Sequence, residues 1–135
     1  MDPRQRSDAD GQSAIPRSGF LRSFRFAGQG VWYVVRTQRN MRVHLLAGAA
    51  AIVAGLVLRI GAADWACVLI AIGLVLTAET LNTVVEALTD LCTDGYHPLA
   101  KIAKDAAAGA VLISSAAALG VGLAVFLPRL LRSPG

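Results

Sequence analysis

Charge is scarce in this chain: only 16% of its 135 residues are Asp, Glu, Lys or Arg. A soluble domain carries about a quarter. Cysteine is rarer still. The two present, Cys67 and Cys92, sit near opposite ends of one expected helix, about 37 Å apart, and cannot pair within the chain. No CxxC or Cys/His cluster exists, which argues against a structural zinc site. Residues 1–19 hold no apolar core of about 7–15 residues, so no secretory leader is expected there. There is no GxxxxGKS or GxxxxGKT loop, and the GQG at 28–30 is not completed to GxGxxG.

What the chain has is hydrocarbon. Hydrophobic residues make up 55% and the mean hydropathy is +0.55, too apolar for an ordinary soluble domain of one-domain length. The net charge is +4, and eight of the thirteen basic residues precede residue 43. A basic segment leading into charge-free apolar runs is what an anionic membrane surface attracts, so a nucleic-acid partner is not expected.

The organisation follows. Residues 1–17, rich in Asp, Arg, Ser, Gln and Pro, read as a disordered tail. Over 19–38, Phe20, Phe24, Ala27, Val31, Trp32 and Val35 recur at helical spacing among Arg22, Arg25 and Arg36. That pattern predicts an amphipathic helix in the headgroup region, weakened by Gly28 and Gly30. Apolar stretches predict three membrane-spanning helices over 43–59, 65–91 and 99–127, with a turn at 60–64 and a short tail at 131–135. His44 reads as an interfacial side chain and Trp65 as an interfacial anchor. Ten basic residues lie before the first span or in the loop after the second, against Arg59, Arg129 and Arg132 on the other side. Positive charge stays inside, which places the N-terminus and the 92–104 loop in the cytoplasm and the C-terminus outside. Ala106, Ala110, Ser114, Ala118 and Gly122 form a small-residue stripe of the kind that lets helices approach in lipid. Three spans alone hide carboxylates poorly, so self-association is expected.

The carboxylates are the anomaly. Glu79, Asn82, Glu86 and Asp90 follow one another at spacings of 3, 4 and 4. At about 100° per residue they share an arc of about 80° on one helix face and climb roughly 16 Å along it. Ionised carboxylates in hydrocarbon cost several kcal/mol each unless paired, hydrated or metal-bound. Mg²⁺ prefers such oxygen ligands and often bridges to phosphates. Across the loop stand Lys101, Lys104 and Asp105, and lysine near a cation site suits phosphoryl transfer, whose transition state spreads negative charge over oxygens. The competing reading is a polar seam that only binds helices together or lines an ion path.

Two blocks carry a resemblance. AETLNTVVEALTDL at 78–91 and HPLAKIAKDAAAGAVLI at 97–113 resemble the signatures of the small prokaryotic diacylglycerol kinase/undecaprenol kinase family, as does RNMRVH at 39–44. The resemblance covers about residues 19–127. It implies an ATP- and Mg²⁺-dependent lipid kinase in the bacterial cytoplasmic membrane, a homotrimer with active sites shared between subunits at the cytoplasmic face. By the same resemblance Glu79 matches the general base for the lipid hydroxyl and Asn82 the asparagine that holds that region together. Glu86 matches a metal ligand, and Asp90 lies at the nucleotide end. Lys104 and Asp105 match the pair that contacts phosphate and nucleotide, and His97 a histidine of the nucleotide loop. Arg25, Asn40 and Arg42 are further candidates for phosphate or nucleotide contact. One departure has chemical weight: Gln38 stands where the family has its second metal-binding glutamate. Undecaprenol is the favoured substrate and diacylglycerol the next. The alternative is a weakened, non-catalytic trimer that binds lipid or nucleotide.

Overall fold

The computed structural model describes residues 18–131, so the tail expected over 1–17 and residues 132–135 lie outside it. Four helices account for nearly all of the described chain: α1 (Ser18–Thr37), α2 (Arg39–Val57), α3 (Ala62–Cys92) and α4 (Pro98–Leu131). No strand occurs among the described residues. The last three helices are long and apolar enough to cross a membrane. The protein is therefore an all-helical membrane protein with three candidate spans.

Two compact units divide at Trp32 and Tyr33. In the first, α1 runs unbroken through Gly28 and Gly30, with Leu21, Phe24, Phe26 and Trp32 exposed. The rest of the fold belongs to the second unit. There Val34 and Met41 are buried on either side of Gln38. Gln38 alone is extended (φ −96°, ψ 118°) and serves as the N-cap position of α2, so that helix begins at Arg39, ahead of the first span expected from 43.

The turn after α2 is a Schellman motif. Ile60 N–H donates to the Gly55 carbonyl and Arg59 N–H to that of Leu56. Its left-handed residue is Arg59 (φ 49°), although a side chain there is disfavoured. Gly61 is instead the extended N-cap position of α3, so α3 starts three residues before the expected Trp65. At the far end α4 runs through Pro128 to Leu131, beyond the expected 127. Proline removes the donor that would bond the Ala124 carbonyl; just beyond it Arg129 Nη1 donates to the Val125 carbonyl at 2.6 Å, while Nη2 reaches Asp64 Oδ2 at 2.5 Å.

Side-chain contacts fix the register. A Cβ on Gly48 would meet Ile72 at 3.2 Å, and one on Gly55 would meet the Trp65 ring at 2.9 Å. As residue number rises along α2 the partner on α3 falls, so the two are antiparallel. Asp64 with Arg129 and Asp90 with Lys104 make α3 and α4 antiparallel in the same way. The core is small, with Ile60, Val68 and Val125 buried together. Val53, Leu56, Ile70, Leu112, Ile113 and Leu119 all face outward. Such a surface is a liability in water and the solvated face in hydrocarbon. Of the small-residue stripe on α4, Ser114 is buried and Ala118 and Gly122 line a cleft, while Ala106 and Ala110 are exposed.

If Gly55 sets this register, Gly55→Leu forces the Trp65 ring out and costs about 1–3 kcal/mol. Gly73→Leu, with nothing within 4 Å of its added Cβ, is the control. Thermal unfolding in detergent micelles checks the pair, and a smaller loss at 55 than at 73 refutes the assignment.

Candidate active site on the polar face of α3

The four polar residues of α3 do share a face, because a helix keeps residues at spacings of three and four in register. Their environments differ by depth. Glu79 is buried, with 3% of its side chain exposed, whereas Asp90 at the end of the helix is 70% exposed. Between them Thr83 is buried, its hydroxyl donating to the Glu79 carbonyl at 3.0 Å.

At the deep end Glu79 Oε1 lies 3.3 Å from His44 Nε2 on α2. That is within ion-pair reach, yet the geometry is not that of a hydrogen bond. Glu79 Oε1 is left as a buried acceptor with no hydrogen-bond partner among the described residues. A buried oxygen in that condition is costly, and it is free to receive a proton. The interfacial reading of His44 misses this contact, which depends on the α2–α3 register and has no local signal in the sequence.

One stage nearer the loop, Glu86 holds two amides. Asn82 Nδ2 donates to its Oε1 at 3.0 Å and Gln38 Nε2 to its Oε2 at 3.3 Å. Gln38 thus sits against Glu86 across 48 residues of sequence. No group of three or more His, Cys, Asp or Glu able to hold a metal occurs among the described residues. Because both amides turn N–H toward Glu86, that carboxylate alone offers oxygen here, and a Mg²⁺ ion would take its other ligands from phosphates and water.

At the loop end Lys104 donates to Asp90 Oδ1 at 2.6 Å, and Lys101 pairs with Asp105. His97 caps α4, its Nδ1 accepting from Leu99 N–H at 3.3 Å. These groups border an open cleft of about 340 Å³ lined also by Thr89, Thr93 and Tyr96. Asn40 and Arg42 are exposed on the first turn of α2, away from any hydrogen bond to the α3 face. Arg25 is exposed on α1, in the other unit. A second cleft, about 420 Å³, runs between the spans from His44 to Phe126 and is lined almost wholly by Ala, Gly, Val, Ile and Leu. Its polar side chains are His44 and Ser115.

A buried carboxylate thus lies beneath a row of polar groups that ends in lysines at an open cleft, on a helix long and apolar enough to cross a membrane. Comparison with known proteins names the class. The prokaryotic diacylglycerol kinase pattern matches residues 25–126. An undecaprenol kinase of Bacillus subtilis (strain 168) is 42% identical over 111 residues, covering 82% of this chain and 90% of that protein. A diacylglycerol kinase of Synechocystis sp. (strain ATCC 27184 / PCC 6803 / Kazusa) is 47% identical over 112 residues, covering 82% of this chain but 64% of its own length. The chain belongs to the prokaryotic diacylglycerol kinase family. It is a lipid kinase, and ATP is its phosphoryl donor.

The Asp90–Lys104 pair is 70% and 41% exposed, and pairs in that setting contribute little to stability. A double-mutant cycle with Asp90→Asn and Lys104→Met, read by thermal unfolding, should give a coupling below about 1 kcal/mol. A larger coupling would make the pair a structural lock.

Proposed function

We propose that the protein transfers the γ-phosphoryl group of ATP to the lone hydroxyl of a polyprenol, undecaprenol being favoured over diacylglycerol. The observation that carries the proposal is Glu79, a buried carboxylate with an oxygen free to accept a proton, on the helix face that rises to Lys104. The apolar cleft supports the substrate choice. A polyprenyl chain asks nothing polar of its wall, whereas the two esters of a diacylglycerol would find only His44 and Ser115 in the cleft. Near full-length similarity to an undecaprenol kinase also favours it.

In this reading the lipid hydroxyl meets Glu79, which takes its proton as the oxygen attacks phosphorus. ATP lies along the α3 face, its phosphates toward Glu86 and its nucleoside toward the His97 loop. Lys104 leaves Asp90 for phosphate oxygens, exchanging one charge partner for another, and Lys101 and Asp105 border the same cleft. Asn40 and Arg42 are candidates for further phosphate contact. Mg²⁺, held by Glu86 and the phosphates, would neutralise charge developing on the transferred group. Asn82 orients Glu86, and Gln38 offers an amide oxygen to that position only after its amide turns around. The site faces the cytoplasm of a bacterial cell in the cytoplasmic membrane, and the protein works as a homotrimer, which would cover the outward-facing apolar spans. The non-catalytic alternative is not favoured by the family's character as kinases.

The test is transfer of labelled phosphate from ATP in micelles containing either lipid and Mg²⁺. Transfer to undecaprenol should exceed transfer to diacylglycerol, and no transfer to either sinks the kinase reading. Glu79→Gln should lower kcat by a factor on the order of 10² or more without changing the assembled mass. A rate near wild type removes Glu79 as base.

Gln38→Glu should reduce the Mg²⁺ concentration for half-maximal activity. It should also make thermal stability depend on Mg²⁺, because two facing carboxylates repel until a cation joins them. If neither changes, position 38 does not reach the cation.

A further inference from the structure

Beyond the base itself, the described residues place one titratable side chain against it. His44 Nε2 stands 3.3 Å from the Glu79 oxygen that no hydrogen bond satisfies. The two side chains differ in access: 23% of the imidazole is exposed and 3% of the carboxylate. His44 also lines the apolar cleft, where α4 contributes Ser115 and hydrocarbon and no titratable group. Around the pair the remaining charges are Arg39 and Arg42 on α2, exposed and toward the loop end, and Glu86, about 10 Å up the α3 axis and bonded to Gln38 and Asn82.

This arrangement bears on a problem that any kinase using Glu79 as base must solve. Each turnover leaves a proton on a carboxylate that is only 3% exposed. Until the proton departs, the carboxyl group cannot serve again.

We propose that His44 is the proton acceptor that resets Glu79, a positioning and relay residue acting through the base. The proposal rests on the reading of Glu79 given above. In the transfer step the lipid O–H bond breaks, its oxygen forms a bond to the γ-phosphorus, and the bond from that phosphorus to the bridging oxygen breaks with its electron pair leaving on ADP. The proton goes to a Glu79 carboxylate oxygen. It then moves from that oxygen to Nε2 of neutral His44, which leaves a carboxylate paired with an imidazolium in surroundings where opposite charges attract strongly. The imidazolium returns one proton to water. ATP and the alcohol become ADP, the phosphate ester and one released proton, and no further reactant is needed.

The chemistry also explains why a histidine suits this place. A glutamine at 44 would keep a polar side chain beside Glu79 but cannot carry the proton, whereas imidazole accepts at one nitrogen and donates from the other.

The full chain in micelles, with undecaprenol or diacylglycerol, Mg²⁺ and labelled ATP, tests this. His44→Gln and His44→Ala should each lower kcat by about tenfold or more while the KM for lipid stays within about twofold. Added imidazole should restore at least about a third of the lost rate to His44→Ala and none to Glu79→Gln. A His44→Gln enzyme at the wild-type kcat overturns the proposal, as does a His44→Ala enzyme that imidazole does not rescue. Failure of the underlying reading looks different: wild-type protein that transfers nothing, or Glu79→Gln protein that transfers normally.

Discussion

The deep and middle parts of the polar face depend on how α2 lies against α3, and two glycines lie at that contact. At Gly48 and Gly55 the absence of a Cβ admits Ile72 and the Trp65 ring to within van der Waals contact of the α2 backbone. Those contacts set one antiparallel register. A slide of a single turn, about 5.4 Å, would carry His44 past Glu79 and Gln38 past Glu86. The carboxylates would then face hydrocarbon, where each costs several kcal/mol. Apolar packing in the lower half of the spans thus places polar partners in the upper half. The Schellman turn belongs to the same arrangement, since Ile60 of that turn is buried beside Gly55.

Given that register, α3 becomes a graded electrostatic track. Its lowest carboxylate is dry and touches one imidazole, its middle one holds two amides, and its highest meets a lysine near bulk water. The gradient suits the chemistry of a kinase acting on a lipid. Proton abstraction gains from a site where water does not compete, and nucleotide exchange gains from groups whose existing pairs are weak and exposed. Asp90 and Lys104 neutralise each other at little energetic cost to break, which suits the exchange of partners proposed for Lys104.

Much of this was legible in the sequence where the signal is local. Helical periodicity alone places Glu79, Asn82, Glu86 and Asp90 on one face, and apolar run length alone marks three spans. The relation of residue to residue across helices was not legible, because it depends on packing. Nothing near His44 in the chain announces Glu79, 35 positions away. The turn shows the same limit: the sequence marks a turn at 60–64 but not that Arg59 takes the left-handed conformation and Gly61 the N-cap position of α3. Ile60, next to the left-handed Arg59, is buried. Helix ends drifted similarly: α2 starts early because Gln38 alone breaks the chain direction, and α4 outlasts Pro128 because proline withdraws a single donor.

Gln38 is where local reading and packing meet. The sequence marks it as an amide in the place of a carboxylate, and the register sets it against Glu86. A carboxylate at 38 would face Glu86 as a like charge, and only a bound cation would relieve the repulsion. The amide reverses that logic. It donates to Glu86 directly, so the middle of the polar face is satisfied before any cation or nucleotide arrives. A cation entering here must displace two hydrogen bonds to gain one full negative charge, and the phosphates it arrives with supply the rest of its coordination. Under the proposed role of Glu86, the amide would tie cation binding to the nucleotide that brings phosphate ligands.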